Sequence, residues 1–258
     1  MKASDRELPP VTLSEHEGVR YLHLGSVWVQ GAMRIRRPQA IELVYVQRML
    51  ASLLWLPTEA LGQGPALQLG LGAGAITRFT LNQLKMATTV VEIHPELVEV
   101  CRRWFHLQTQ DPRLRVVVGE AGAWLRDVQA PAEVQLLHVD LYDEEAAAPV
   151  LDDVAFYADC RRALAPGGVM AVNLFGRDAS FETSLLRIVE AFGPDQVWHL
   201  QPTREGNTVV VAGRDVEVPG RDVLQARAES LEQRFGALGL TARRWLTQVR
   251  PYRPRGAT

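Results

Sequence analysis

Lysine is nearly missing from this 258-residue chain: Lys2 and Lys85 are the only two, and arginine carries the rest of the positive charge. With 28 Lys and Arg against 30 Asp and Glu, the formal net charge is −2. That balance does not suggest a nucleic-acid binder or a disordered protein. Cysteine is equally scarce. Cys101 and Cys160 stand far apart in helical patterns, which argues against a disulfide scaffold and predicts buried thiols in a reducing compartment. No apolar run approaches the ~20 residues of a membrane-spanning helix. Residues 1–10 are charged and have no apolar centre, so no signal peptide is expected and the predicted location is cytoplasmic. No Gly-x-Ser-x-Gly elbow, Walker lysine or paired-cysteine motif occurs, against a hydrolase, a nucleoside triphosphatase or a zinc enzyme. His94, His106, His138 and His199 lack metal-ligand spacing, and no metal is expected.

What is present is concentrated between residues 66 and 94. An apolar run ends in Gly70-Leu-Gly-Ala-Gly-Ala75, and helical spacing follows over residues 76–86. Glycines at Gly70, Gly72 and Gly74 let the backbone approach a ligand closely and aim helix N-terminal amides at it. A second apolar run delivers Glu92 about twenty residues on, where an acid can accept hydrogen bonds from both ribose hydroxyls. The pattern predicts a nucleoside-binding α/β domain.

Alternation continues downstream, with strands expected near 66–70, 88–93, 114–118, 134–139, 168–174 and 196–201. Helices are expected near 76–86, 95–105, 120–127, 152–164 and 179–192. Residues 207–212 follow too closely for a crossover helix and should form an antiparallel last strand. The fold class is therefore α/β: a doubly wound, mostly parallel seven-stranded sheet. Ahead of it, residues 19–33 predict a small β-hairpin, and Pro38 opens a helix over 39–55. The expected organisation is an N-terminal hairpin and helix over 1–60 acting as lid and assembly element, a ligand-binding domain over 61–214, and a surface helix with a mobile tail over 215–258.

Open α/β sheets bind ligands at the C-terminal ends of their strands. Besides the glycines and Glu92, the sequence places Glu120, Asp140, Asp143 and the Asn173-Leu-Phe-Gly176 segment there. Glu120 can accept from an adenine amine or act as a helix N-terminal acid. Asp140 emerges from an apolar strand beside the reacting end of a ligand. Asp143, Glu144 and Glu145 form an acidic loop, either solvated or attractive to a cation.

Residues 19–213 resemble the spermidine synthase (polyamine aminopropyltransferase) family. The resemblance rests on the glycine turn, Val91-Glu-Ile-His94, Asp111-Pro-Arg-Leu-Arg-Val116 running into Gly119-Glu120, Phe156-Tyr157 and Leu164-Ala-Pro-Gly-Gly168, with Gln30-Gly-Ala-Met33 and Tyr45-x-x-x-Met49 upstream. It implies a class I methyltransferase-like fold and a transferase using S-adenosylmethionine or its decarboxylated form as donor. Glu92 would hold the ribose and Glu120 the adenine. Asp140, with Asp143, would assist deprotonation of an attacking amine, and Gln30, Tyr45 and Gln47 would line the acceptor side. It also implies a homodimer acting on a small-molecule acceptor such as an amine, with no nucleic-acid or membrane partner.

Departures from the family pattern fall on the acceptor half. Ala73 replaces an acid of the glycine turn, Tyr45-Val-Gln47 replaces a Tyr-His-Glu clamp, and the 140–145 loop keeps both aspartates without its Pro and Gly. Putrescine aminopropylation is therefore not favoured. A methyltransferase using S-adenosylmethionine and a non-catalytic nucleoside-binding scaffold remain open alternatives.

Overall fold

The computed structural model describes residues 8–127, 133–142, 151–175 and 179–254. Three antiparallel strands come first: β1 (Val11–His16), β2 (Val19–Leu24) and β3 (Gly31–Arg34). The hairpin expected over 19–33 is thus the second half of a three-stranded sheet. Glu17 and Gly18 both adopt positive φ (48° and 75°), the left-handed pair that a two-residue hairpin turn needs. Val11 and Leu13 of β1 point onto the cluster that holds Leu22 and Met33, which is why the otherwise polar strand forms.

The helix expected over 39–55 is shorter and of two kinds. α1 spans Val44–Met49, and a tight 3₁₀ segment follows over Leu50–Trp55. Residues 39–43 are not helical because their backbone is bound elsewhere: Ile41 N–H donates to the Leu238 carbonyl at 2.8 Å, and the Gln47 amide donates to the Ile41 carbonyl. A tertiary contact with the C-terminal segment overrides local propensity.

The main sheet begins with β4 (Ala66–Leu69), followed by α2 (Ala75–Asn82), β5 (Thr88–Glu92), α3 (Pro95–Trp104), β6 (Leu114–Val118) and α4 (Ala121–Asp127). After the order reverses come β7 (Val134–Val139), α5 (Val154–Ala163), β8 (Leu164–Phe175), α6 (Ala179–Phe192), β9 (Val197–Leu200) and β10 (Asn207–Gly213). The chain ends with α7 (Arg221–Phe235), α8 (Ala242–Gln248) and β11 (Val249–Pro251). Strand order is β11-β9-β10-β8-β7-β4-β5-β6, with β10 antiparallel to both neighbours. The sheet has eight strands rather than the expected seven, because Val249–Pro251 pairs with β9. Pro251 is tolerated there because β11 is an edge strand. The tail expected to be mobile after Pro251 is tied at Tyr252, whose N–H donates to the Val197 carbonyl at 2.9 Å.

Period-two alternation sends each central strand to two cores. Val169 and Ala171 of β8, with Val209 and Val211 of β10, face Leu50, Leu53, Leu54, Trp55 and the C-terminal helices. Met170, Val172 and Leu174, with Val210 and Ala212, face α5 and α6. The segment expected as a surface helix is half core: Ala228, Leu231 and Phe235 of α7 and Trp245 of α8 are buried, with the Phe235 ring edge-on to Phe79 at 5.1 Å. The N-terminal 3₁₀ segment, the sheet and the C-terminal helices therefore share one core. Both cysteines are buried, Cys101 in α3 and Cys160 in α5. Among the described residues, no helix is long and apolar enough to cross a membrane.

Trp245 is 1% exposed and lies far from the nucleoside motif in sequence. Trp245→Ala is expected to cost about 3–5 kcal/mol of unfolding free energy in a urea titration, the range for truncating a buried Trp.

Candidate active site

The order of the sheet reverses between β4 and β7, and ligands of open α/β sheets bind at such a point. The two strand ends meet here through the Asp140 N–H donating to the Leu69 carbonyl at 2.9 Å. Gly70 then turns with φ +85°. A Cβ on it would stand 2.2 Å from the Asp140 carbonyl oxygen, so only glycine lets the two ends close. Gly72 (φ +51°) continues the turn, and Gly74 (φ +67°) caps α2.

The turn is braced from behind by donors. Cys101 Sγ donates to the Gly72 carbonyl at 3.1 Å. Arg78 Nη1 donates to the carbonyls of Ala73 (2.6 Å) and Phe105 (2.8 Å), and its Nε to that of Pro38 (3.3 Å). Burial lowers the Arg78 pKa to about 10, so at neutral pH the guanidinium stays charged, solvated by the three carbonyls. Sequence reading missed this brace, although Arg78 stands at an otherwise buried helical position.

Glu92 ends β5 within reach of the turn. Its Oε2 accepts from the Leu71 N–H and its Oε1 from the His94 N–H, both at 2.8 Å. Burial raises its pKa, against those two bonds and the neighbouring His94, which lower it. A carboxylate has about four acceptor sites, so capacity for a diol remains after two are used. Ile93 and Val118, at the ends of the adjacent strands β5 and β6, are exposed apolar side chains beside this acid. Glu120 caps α4: its two oxygens accept from the N–H groups of Gly122 (2.8 Å) and Ala123 (2.6 Å). Of its two sequence readings, the helix-terminal one accounts for these contacts.

Asp140 leaves β7 on the face of Asn173. Asn173 Nδ2 donates to Asp140 Oδ1 at 2.9 Å, and Asn207 Nδ2 donates to Asn173 Oδ1 at 3.2 Å. The Tyr45 hydroxyl, from α1, also donates to Asp140. Burial pushes the Asp140 carboxyl above the usual carboxylate range, while the Asn173 and Tyr45 bonds pull it back down. Burial and the Asp140 charge together raise the Tyr45 phenol well above its ordinary value, so Tyr45 is a fixed donor. The sequence places Asn173 at this strand end without giving it a role, and Asn207 was not picked out from sequence. Tyr142 completes the strand end, its hydroxyl donating to the Asn173 carbonyl and accepting from the Phe175 N–H.

The N-terminal sheet closes over this arrangement. A Cβ on Gly31 would lie 2.5 Å from the Ala73 Cβ, so β3 rests directly on the glycine turn. Gln30, Tyr45, Gln68, Leu71, Ala73 and Asp140 line a void of about 20 Å³ between them. Gln47 is not brought to this void; its amide is spent on the Ile41 carbonyl and lies against Gly239. Asp143, with Glu144 and Glu145, lies outside the described residues. The described residues contain no group of three or more His, Cys, Asp or Glu placed to hold a metal.

Residues 64–185 match the family model of the spermine/spermidine synthase domain. The polyamine aminopropyltransferase of Chromobacterium violaceum is 31% identical over 231 residues, covering 89% of this chain and 86% of that protein. The one from Neisseria meningitidis serogroup A is 29% identical, covering 88% and 85%. Among solved structures, a probable spermidine synthase from Corynebacterium glutamicum superposes with a TM-score of 0.71 at 21% identity, covering 87% of this chain and 83% of that one. Human methyltransferase-like protein 13, in complex with SAH, gives 0.65 at 22% identity, covering 84% and 98%. Those two likenesses establish a methyltransferase-like fold.

The placement of Glu92 generates a direct test. Glu92→Ala is expected to weaken methylthioadenosine binding at least tenfold by calorimetry, the low end of a charge-assisted hydrogen bond of roughly 1.5–3 kcal/mol. Glu92→Gln should fall between the two. Unchanged affinity in a folded variant would remove Glu92 from the ribose site.

Proposed function

The chain belongs to the spermine/spermidine synthase family, and from that premise we propose that it transfers an aminopropyl group from decarboxylated S-adenosylmethionine to a small amine. The observation that carries this reading is the position of Asp140. A hydrogen-bonded carboxylate stands at the switch point, across the glycine turn from an acid suited to ribose. A nucleoside-binding scaffold needs the ribose acid but has no use for a desolvated carboxylate at the reacting end.

Glu92 would hold the ribose diol, with Ile93 and Val118 beside the base and the amides of the glycine turn facing the donor. The donor supplies a sulfonium whose neighbouring carbon is electrophilic and whose thioether leaves readily. Catalysis then depends on positioning and on freeing the amine lone pair. An alkylammonium is held by Asp140 and must pass its proton to that carboxylate before nitrogen can attack. A carboxylate raised by burial is a better proton acceptor than a solvated one. The new C–N bond forms as the C–S bond breaks, and methylthioadenosine departs with the electron pair. Tyr45 and Asn173 hold Asp140 by donating to it, which keeps one lone-pair direction aimed at the amine.

The void of about 20 Å³ has room for roughly one water, whereas sites for cofactor-sized ligands run to hundreds of Å³. The loop over residues 25–30, between β2 and β3, would therefore shift to admit the substrates, as the lid that residues 1–60 are expected to supply. Assembly as a homodimer belongs to the same reading. Deleting residues 1–60 also removes Leu50, Leu53, Leu54 and Trp55 from the core. That truncation is expected to be insoluble, rather than a soluble domain that has merely lost its lid.

Asp140→Asn is expected to reduce kcat by about 10²–10⁴-fold, the usual range for a general base, with donor affinity by calorimetry nearly unchanged. In the wild-type protein the base form of Asp140 must be present, so kcat/KM should fall as pH drops through its raised pKa. Asn173→Ala and Tyr45→Phe each remove a bond that lowers that pKa, so the acid limb should move to higher pH. An acid limb that stays put in both variants would detach Asp140 from the reaction.

A further inference from the structure

Resting on the aminopropyl-transfer reading, in which Asp140 is the base, we propose that Asn207 is a positioning residue. By donating to Asn173 it decides which end of that amide meets the carboxylate two strands away. The register explains the contact. Val209 is the partner of Asn173 and Phe175 that of Asn207, so Asn207 lies diagonally from Asn173 on the same face. On the other side, Val139 of β7 pairs with Val172, which brings Asp140 level with Asn173. The β9–β10 turn holds Asn207 in place. Its N–H donates to Thr203 Oγ1 at 3.1 Å, and its carbonyl accepts from the Thr203 N–H at 2.7 Å. The Gly206 N–H closes the turn on the Thr203 carbonyl at 3.2 Å, and Thr203 is buried.

The chain of side chains has a polarity, and Asp140 sets it. An amide has one donating and one accepting end, whereas an ionised carboxylate only accepts. Asp140 Oδ1 therefore takes Asn173 Nδ2, at 2.9 Å, which leaves Asn173 Oδ1 in need of a donor. Asn207 Nδ2 supplies it at 3.2 Å. Asn173 is 4% exposed, so an unanswered oxygen there would carry a desolvation cost. A residue at 207 that could only accept would draw Asn173 Nδ2 to itself. Asn173 Oδ1 would then turn on Asp140, an arrangement that suits only the protonated acid. The donor at 207 thus favours the ionised carboxylate, the form able to receive the amine's proton.

Among the described residues, the titratable groups around Asp140 are Tyr45 from α1, Tyr142 on its own strand end, Glu42 and His138. Burial and the Asp140 charge raise both phenols, so neither tyrosine ionises near neutral pH. Glu42 lines the same void and is paired with Arg34 at 2.6 Å. His138, two residues earlier on the same face of β7, is held neutral by burial, its pKa lowered to about 3. Beyond Asn207, Glu205 lies near Arg48 and supports its charge. A change at position 207 is therefore read on Asp140 itself.

The test labels the aspartate carboxyl carbons with ¹³C and follows Asp140 by NMR through a pH titration of the intact protein. Its signal is assigned by its loss in Asp140→Asn. Asn207→Asp is expected to raise the Asp140 midpoint by at least about one pH unit, the worth of one charge-assisted hydrogen bond. Asn207→Leu leaves Asn173 Oδ1 unanswered without reversing the amide, and should raise the midpoint by a smaller amount. Asn207→Ser, too short to bridge, serves as the second neutral variant should leucine disturb the turn. The added charge of Asn207→Asp also acts through space, so the same substitution is made in the Asn173→Ala background. Acting through Asn173, it should lose more than half of its shift there. An equal shift in both backgrounds overturns the inference, as does an unmoved midpoint in Asn207→Asp. In turnover assays the acid limb of kcat/KM should move with the midpoint, with methylthioadenosine affinity unchanged. A midpoint that moves while the limb stays put would uphold the positioning role and overturn the aminopropyl-transfer reading instead.

Discussion

The ends of β4 and β7 close against each other because position 70 has no side chain. With the Asp140 carbonyl 2.2 Å from where a Cβ would be, any other residue forces the two strands apart. Every polar group of the candidate site hangs from that closure. It sets the glycine turn beneath Glu92, brings Asp140 out beside the turn, and lets Asn173 on the next strand reach the carboxylate.

Around this point the protein spends its buried polar groups on bracing. Arg78 is held by three carbonyls, Cys101 donates to Gly72, and Glu92 accepts from the amides on either side of it. A buried cation met only by dipoles is costly unless well bonded. Its place behind the turn suits a rigid cradle, where the backbone amides of residues 72–74 cannot drift. The Asn207–Asn173–Asp140 chain does the same for the carboxylate: each amide donates to the next acceptor and fixes its orientation.

A second closure, of β3 on Ala73 at Gly31, explains why the N-terminal sheet belongs to the site. It carries Gln30 to the void and Trp28 to the Phe175 ring, while the 3₁₀ segment after α1 is built into the core shared with α7 and α8. The roof of the void is thus anchored at its base in the core.

Much of the central sheet was legible in the chain itself, because buried parallel strands read as apolar runs and glycine turns and strand-end acids are local patterns. Glu92 and Asp140 could be found that way. Other features were decided only by contacts between distant segments. Residues 39–43 are non-helical because Leu238 takes the Ile41 N–H, and Val249–Pro251 becomes an eighth strand because β9 offers it an edge. Gln47 sits by motif where an acceptor residue would stand, yet its amide turns to Ile41; Trp28 finds its ring partner in Phe175, far along the chain. The sequence by itself determined the periodicities, and with them the layers and the acids at strand ends. Which side chains face one cleft was left to the tertiary structure, because that depends on where separate backbones come close enough to touch.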